Sequence, residues 1–451
     1  MSYDKVYLIG IGGIGMSALA RYFKFKGFEV SGYDRTPSEL TEKLIEEGIA
    51  VHYEDRPDLV PEDKAHTLVI YTPAIPADLG ELVKVTTGGY NVVKRSRALG
   101  EITRGQQCLA VSGTHGKTTT STLIAHIFTD SGEGCSAFLG GISRNYGTNM
   151  LMSHSEVAVA EADEFDRSFL QLFPTIAVIT SVDPDHLDIY GTYEKVTEAF
   201  RAFASQVSGT LIAKLGIPVK KEHTPAKYYT YHLDNSEADF YASGITVTQT
   251  GNYVFDLVTP WGILPEVKVG TPGRVNAENT VAAAAVALTW GIKGEAVKKA
   301  VASFLGVKRR LEAHVLRPDI CFIDDYAHHP AELAAAIASI RDMFPERKLT
   351  AIFQPHLYTR TRDFADEFAE SLSAVDRLIL LDIYPAREEP IPGVTSEIIF
   401  SKVTAAEKIL IRKEELMDLL ERERPEGVLV TFGAGNIDRF IEPITKLLEA
   451  R

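Results

Sequence analysis

The 451 residues predict an α/β protein of three units in series, and three observations carry that reading. Short apolar runs alternate with helical stretches at both ends of the chain, the rhythm of βαβ units and parallel sheets. Two glycine-rich loops, about a hundred residues apart, each follow an apolar run and open a helix. The length itself calls for about three cores at about 150 residues each.

Residues 1–105 form the first unit, with strands expected in "KVYLIG", "FEVSGYD", "TLVIYTP" and "NVVKR" and a helix in "SELTEKLIEEG". The second, 106–312, starts after the polar "ITRGQQ" with "CLAVSGTHGKTTTSTLIAHIF". It continues through "EVAVAEADE" and "PTIAVITSVDPDHLD", apolar strands that end in acidic residues. Between about 207 and 270 the pieces "YYTYHL", "ITVTQTGNYVFDLV" and "GILPEVKV" are short and β-rich, which predicts an antiparallel addition to this unit. The helix "NAENTVAAAAVALTWG" and the basic corner "GVKRRLE" close it. Alternation resumes over 313–451 with "ICFIDDYAHHP", "KLTAIFQPH", "VDRLILLDIYP" and "GVLVTFGAGN".

Composition narrows the function. A formal net charge of -14 repels nucleic acid and anionic membrane surfaces, so any phosphate must be gripped locally. Three cysteines, Cys108, Cys135 and Cys321, suit neither a disulfide framework nor a zinc site. No apolar run reaches the ~18 residues of a membrane span, and no basic segment precedes Val6–Ala20 as a signal peptide requires. A reducing cytoplasm is the expected compartment.

The first loop fits G-x-G-x-x-G with Gly10, Gly12 and Gly15, and Asp34 follows at the end of the next strand. Glycines admit a diphosphate to the backbone, and the helix N-terminus supplies N–H donors. A nicotinamide dinucleotide, a UDP-type diphosphate and a tight turn all remain open at this point. The second loop, Gly113 to Thr118, has Val111 where a full P-loop has its first glycine. It keeps Lys117 to reach β/γ-phosphate oxygens and Thr118 to hold Mg²⁺. Acidic partners for that metal are sought at strand ends, among Glu161, Asp163, Glu164, Asp166, Asp183, Asp185 and Asp188, with Glu161 favoured as nearest its strand. Spacing alone makes His186 a structural or substrate-contacting residue. In the third unit "DDYAHHPAEL" and "FQPHLYTRTRDF" gather histidines and arginines after apolar strands, either to bind carboxylate and phosphate or as N-caps and surface ion pairs. A loop lysine is not core, so Lys117→Ala is expected to abolish turnover with little effect on folding.

Taken together, "GIGGIGMSALA", "SGTHGKTTT", "EADEFDRSFL", "DHLDIYGT", "NAENTVAAAA", "GVKRRLE", "DDYAHHP", "FQPHLYTRTRDF" and "FGAGNI" resemble the Mur ligase family of peptidoglycan synthesis, in order and over nearly the whole chain. The resemblance implies a Rossmann-like N-terminal domain for a UDP-sugar, a central P-loop ATPase-like domain with an added β-rich piece, and a C-terminal Rossmann-like α/β domain for an amino acid. Two phosphate loops then serve two nucleotides. The branch resembled attaches L-alanine to the lactyl carboxylate of UDP-N-acetylmuramate through an acyl phosphate, using ATP and Mg²⁺ with Mn²⁺ as substitute, as a monomer or weak homodimer.

By the same resemblance Gly113, Thr114, His115, Gly116, Lys117, Thr118 and Thr119 surround the triphosphate, and Thr118, Glu161 and His186 hold metal. Asn276 and Asn279 face adenine, and Arg310 and Asp325 reach phosphate and ribose. Gly12, Gly13, Ile14, Gly15, Asp34 and Thr72 hold the UDP-sugar. Tyr326, His328, His329 and Arg360 position the amino acid, with His329 the candidate base. The chain departs from the family at Leu357, where arginine is frequent, and in "EAFRAF", which lacks the carbamoylated lysine of sister ligases. Three rival readings are a murein tripeptide recycling ligase on the same UDP-sugar, an NAD-dependent dehydrogenase, and a P-loop regulator without chemistry.

Overall fold

The computed structural model describes residues 3–184, 187–248, 251–386 and 388–450. They form two compact units: Met1–Ile245, Phe255–Gly270 and Glu278–Val307 make one, and Thr246–Val254, Thr271–Ala277 and Lys308–Arg451 make the other.

The first unit begins with β1 (Lys5–Ile9), α1 (Ile14–Phe25), β2 (Glu29–Tyr33), α2 (Glu39–Glu46), β3 (Ala50–His52), β4 (Thr67–Tyr71), α3 (Gly80–Thr87), β5 (Asn91–Lys94) and α4 (Arg95–Thr103). Its five strands are parallel in the order β3-β2-β1-β4-β5. Helices cover both faces, so Val6–Ile9 are all buried and the strand reads as an unbroken apolar run. The order reverses between β1 and β4, which opens a crevice at their C-terminal ends. Helix α2 is capped by Ser38, whose Oγ accepts the Thr41 N–H while the Thr41 hydroxyl accepts the Ser38 N–H. Helix α1 starts at Gly13 with no side-chain cap, leaving its first N–H groups for another acceptor.

The same unit continues with β6 (Gln107–Ser112), α5 (Lys117–Asp130), β7 (Ser136–Phe138), β8 (Met150–Leu151), β9 (Val157–Glu161), β10 (Ile176–Ile179), α6 (Leu187–Tyr190), α7 (Tyr193–Ser205), β11 (Thr210–Lys214) and β12 (Lys227–Tyr231). Seven strands run β12-β11-β10-β6-β9-β7-β8, parallel except for β8. The piece "YYTYHL" therefore does not belong to an antiparallel addition: β12 pairs in parallel with β11, Tyr229 against Ile212. Tyr229 and Tyr231 are buried, and the hydrogen bonds of an edge strand outweigh the short connection that suggested a hairpin. The separate β-rich piece is the three-stranded sheet of β13 (Tyr241–Val247), β14 (Tyr253–Thr259) and β15 (Gly262–Lys268). Next comes α8 (Arg274–Trp290), whose Ala282–Ala285 and Ala287 are fully buried, and then α9 (Gly294–Ser303). Asn149 binds the two large sheets together: its amide donates to the Ser17 hydroxyl at 3.0 Å and to the Ile14 carbonyl in the first turn of α1.

The second unit holds β16 (Glu312–Leu316), β17 (Ile320–Asp325), α10 (Pro330–Met343), β18 (Leu349–Phe353), α11 (Tyr358–Asp363), α12 (Ala365–Leu372), β19 (Arg377–Leu380), α13 (Glu397–Phe400), β20 (Glu407–Leu410), α14 (Leu416–Glu423), β21 (Gly427–Phe432) and α15 (Ile441–Glu449). Its sheet runs β16-β17-β21-β18-β19-β20, with only β16 antiparallel. Two apolar clusters, one on each face, bury β17, β18 and β21. All three cysteines are buried and unpaired, and among the described residues no helix is long and apolar enough to cross a membrane.

Candidate active site

The loop after β1 is shaped by close approach. Gly10 has φ +88°, and a Cβ there would lie 2.6 Å from Thr72 Cγ2. Asp34 does not face outward for a ribose: its Oδ2 accepts the Gly12 N–H at 2.8 Å and its Oδ1 the Thr36 N–H at 3.2 Å. Both oxygens hold the loop. Beside Gly15 lies Arg95, absent from the sequence-derived set, with Nη1 2.9 Å from where a Cβ of Gly15 would stand. Its Nη2 lies 3.5 Å from Asp163 Oδ2. A cleft of about 280 Å³ runs between these elements, with Gly13, Gly15, Thr72 and Arg95 on one side and Glu161 and Asp163 on the other.

Strands β6, β9 and β10 end at one level, since Val111 is in register with Glu161 and Ser112 with Ile179. Their loops therefore converge at the C-terminal edge of the sheet, where α/β proteins place ligands. Gly113 (φ +135°) packs where a Cβ would meet Thr180 Oγ1 at 2.0 Å. Gly116 (φ +80°) is the N-cap of α5 and makes no side-chain cap, and a Cβ there would touch Asn279 Oδ1 at 2.8 Å. The His115 N–H donates to Ser181 Oγ at 2.8 Å, and the Thr114 hydroxyl donates to Asp183 Oδ2 at 3.0 Å. Thr118 is buried and Thr119 half-buried on the first turn of α5, and His115 is exposed. His186 lies outside the described residues.

Lys117 is not a free loop lysine. Its Nζ donates to the Gly113 carbonyl at 2.6 Å and to Glu164 Oε1 at 2.8 Å, and its side chain is 14% exposed. Burial pulls its pKa down, but Glu164 and Glu161 outweigh that and hold it above the ordinary lysine value, so the ammonium is charged. Against the little effect on folding expected of a loop lysine, this side chain pairs with a buried carboxylate, and its loss is expected to cost stability as well.

Glu161 depends on a residue that sequence reading passed over. A Cβ on Gly140 would lie 2.2 Å from Glu161 Oε2, and one on Gly141 3.1 Å from Thr118 Cγ2. The pair Gly140-Gly141 in "FLGGIS" thus leaves room for the Glu161 carboxylate and for the Thr118 side chain, whose carboxylate and hydroxyl oxygens are donors of the kind Mg²⁺ takes. Gly140→Ala is expected to displace Glu161 and lower metal-dependent turnover at least about tenfold, read as a raised Mg²⁺ requirement with an unchanged thermal midpoint.

On α8, Asn276 Nδ2 donates to the Pro272 carbonyl at 2.6 Å, and Lys214 pairs with Glu278 at 2.7 Å. In the second unit Arg309 turns inward, donating from Nε to Asp324 Oδ2 at 3.0 Å and from its backbone to Glu312 Oε2 at 2.7 Å. Glu312, His314 and Asp324 have the spacing of a metal site, but the Arg309 guanidinium already offsets their charge. Arg310, by contrast, is exposed and lies over Tyr326 at 5.9 Å. Asp325 accepts the Leu311 and Ala327 N–H groups, each at 2.8 Å, and burial pushes its carboxyl up to about 6. Its carboxylate anchors the corner that presents Arg310.

Three of the predicted amino-acid residues cluster with a fourth residue, His356. Tyr326 and His328 are 5.1 Å apart edge to face, His328 is 5.9 Å from His356, and the charge of Arg360 acts on both histidines. Arg360 Nη1 and His356 Nδ1 are both buried without a partner among the described residues. His329 stands apart, as the N-cap of α10 with its ring 4.8 Å from Phe364. Its N–H and that of His328 both donate to Glu332 Oε2. Leu357 sits at φ +72°, where its N–H donates to the Tyr384 carbonyl and its own carbonyl accepts the Thr361 hydroxyl at 2.7 Å. That strained turn starts α11 at once after His356 and keeps Arg360 close enough for its charge to act on His356.

Burial, with His328 and Arg360, pushes His356 down to about 4, and burial pushes His328 down too. An unfolded histidine titrates near ~6.5, so the neutral rings contribute stability above that pH that is lost as pH falls toward about 4. Thermal midpoints of the wild type should fall over that window, and those of His356→Gln should fall less.

Fold and site together define an α/β protein in which two glycine-rich loops each follow a parallel strand and open a helix. Family models match three successive stretches: "Mur ligase family, catalytic domain" over residues 5–107, "Mur ligase middle domain" over 111–287, and "Mur ligase, glutamate ligase domain" over 309–435. The chain belongs to the Mur ligase family. It is 53% identical over 450 residues to a UDP-N-acetylmuramate–L-alanine ligase of Parabacteroides distasonis, covering 98% of this chain and 97% of that one. A protein of the same name from Porphyromonas gingivalis is 49% identical, with 99% of each chain covered. Among solved structures, a UDP-N-acetylmuramate-alanine ligase from Thermotoga maritima superposes with a TM-score of 0.80 at 25% identity, over 98% of this chain and 99% of that one. A murein peptide ligase from Psychrobacter arcticus shares the fold, with a TM-score of 0.69 at 20% identity, over 99% of this chain and 98% of that one.

Proposed function

We propose that the protein joins L-alanine to the lactyl carboxylate of UDP-N-acetylmuramate with hydrolysis of ATP to ADP and phosphate. The observation that carries this is identity of about half the residues, over the whole chain, to proteins that bear that name. The cleft agrees with it. A UDP-sugar whose diphosphate rests on Gly13, Gly15 and Arg95 would lie in a cleft that Glu161 and Asp163 also line.

A carboxylate attacks a phosphate only where cations offset the repulsion between two anions. Lys117 supplies one positive charge at the triphosphate, and Arg95 a second at the diphosphate. The Thr118 hydroxyl and the Glu161 carboxylate would hold Mg²⁺, which supplies Lewis-acid stabilisation of the transferring phosphoryl group. The acyl phosphate so formed gives the carbonyl carbon a good leaving group. In the second unit, the partnerless Arg360 Nη1 suits the alanine carboxylate, and neutral His356 offers an acceptor nitrogen for its ammonium group. Asn279 packs on the triphosphate loop, and Arg310 is free to reach phosphate.

The test is phosphate release from ATP and Mg²⁺ with UDP-N-acetylmuramate, comparing L-alanine, glycine, L-serine and the tripeptide, with mass analysis of the product. Release dependent on L-alanine with a UDP-muramoyl-alanine product supports the reading. Release with the tripeptide alone moves the protein to the recycling branch. No release with any acceptor removes the ligase reading.

A further inference from the structure

We propose that Glu164 positions Lys117 and makes the affinity of the triphosphate loop for nucleotide depend on the divalent cation. The inference rests on the ATP-using reading above and adds a residue which that reading leaves without a role.

Glu164 is 1% exposed, on the segment that follows β9. The segment is braced: the Tyr190 hydroxyl donates to the Glu164 carbonyl at 2.6 Å, and the Phe165 N–H donates to Asp163 Oδ1 at 3.1 Å. An ammonium group has three N–H bonds. Among the described residues, Gly113 O and Glu164 Oε1 take two of them, which fixes the direction of the third. A lysine on a four-carbon stem otherwise spreads over many rotamers, and that entropy is lost here before any nucleotide arrives. Glu164 thus aims the ammonium rather than blocking it.

The same contact has an electrostatic consequence. A carboxylate 2.8 Å from the ammonium cancels most of the field that the ammonium would present to an incoming anion. Metal-free ATP, a tetra-anion, would therefore enter a loop of nearly zero net charge with Glu161 and Asp163 close by. A divalent cation held by Thr118 and Glu161 reverses that balance. Removing the charge of Glu164 while keeping its shape should let metal-free nucleotide bind.

The experiment is calorimetric titration of the full-length protein with a non-hydrolysable ATP analogue, in EDTA and in Mg²⁺, for wild type, Glu164→Gln and Glu164→Asp. Glu164→Gln should tighten metal-free binding about tenfold and alter Mg²⁺-loaded binding less than about threefold, so that the metal dependence collapses. Glu164→Asp keeps the charge and should keep the wild-type ratio. In turnover, Glu164→Gln should lower kcat with little change in KM for ATP. An unchanged ratio in Glu164→Gln, or an equal loss in both conditions with a lowered thermal midpoint, overturns the proposal and leaves Glu164 a packing residue. Failure of the wild type to bind the analogue in either condition removes the ATP reading itself.

Discussion

Lys117→Ala is expected to lower turnover about 10³-fold and also to destabilise the fold by about 3 kcal/mol. The first effect follows from removing a positive charge aimed at developing phosphate charge. The second follows from Glu164, which is 1% exposed and would lose its ion pair with Lys117. Breaking a buried pair costs more than replacing both members. The double variant Lys117→Ala with Glu164→Gln should therefore regain most of the lost stability and none of the lost turnover. Urea unfolding of the four proteins checks the first statement, and phosphate release checks the second. A single variant as stable as wild type would mean that Glu164 finds another partner or takes up a proton at no cost.

Arg360→Ala is expected to lower kcat/KM for L-alanine about 100-fold while leaving ATP-analogue binding unchanged. The reason is geometric. Among the described residues Nη1 is buried with no acceptor, and burial pushes the guanidinium pKa down, a state that a bound carboxylate would relieve. Removing the arginine deletes that contact and leaves the triphosphate loop, in the other unit, untouched. Added guanidine should restore part of the lost rate if the carboxylate contact is what was removed. Equal losses in alanine and nucleotide binding would contradict this division of labour.

Glycine spacing made both strand-to-helix loops legible, because only particular residues permit the backbone conformations of Gly10, Gly113 and Gly116. Strand-end acids and the "TRTR" tract were legible for a similar reason: polar side chains after an apolar run in a parallel sheet gather at one edge. The hydrogen bonds of Asp34 to Gly12 and Thr36 were not legible, since a motif records that an acid is present and not which hydrogen bond it makes. Arg95 and Gly140 went unread altogether. Each acts across space on a partner far along the chain, Gly15 with Asp163 in one case and Glu161 in the other. The strand "KYYTY" was misassigned because alternation of polar and apolar residues is the same in a parallel edge strand and in a hairpin.

By itself the sequence determined the α/β class, the succession of loops and the chemical types available at each strand end, because backbone preference and hydrophobic period are local properties. Only the tertiary structure decided which charges meet. Lys117 meets Glu164, Arg95 meets Asp163, Asp34 closes on its own loop, and among the described residues Arg360 Nη1 finds no acceptor. These pairings depend on the register of β6 with β9 and β10 and on the turn at Leu357, and the short-range Coulomb and hydrogen-bond energies that give each residue its role exist only once those elements have packed.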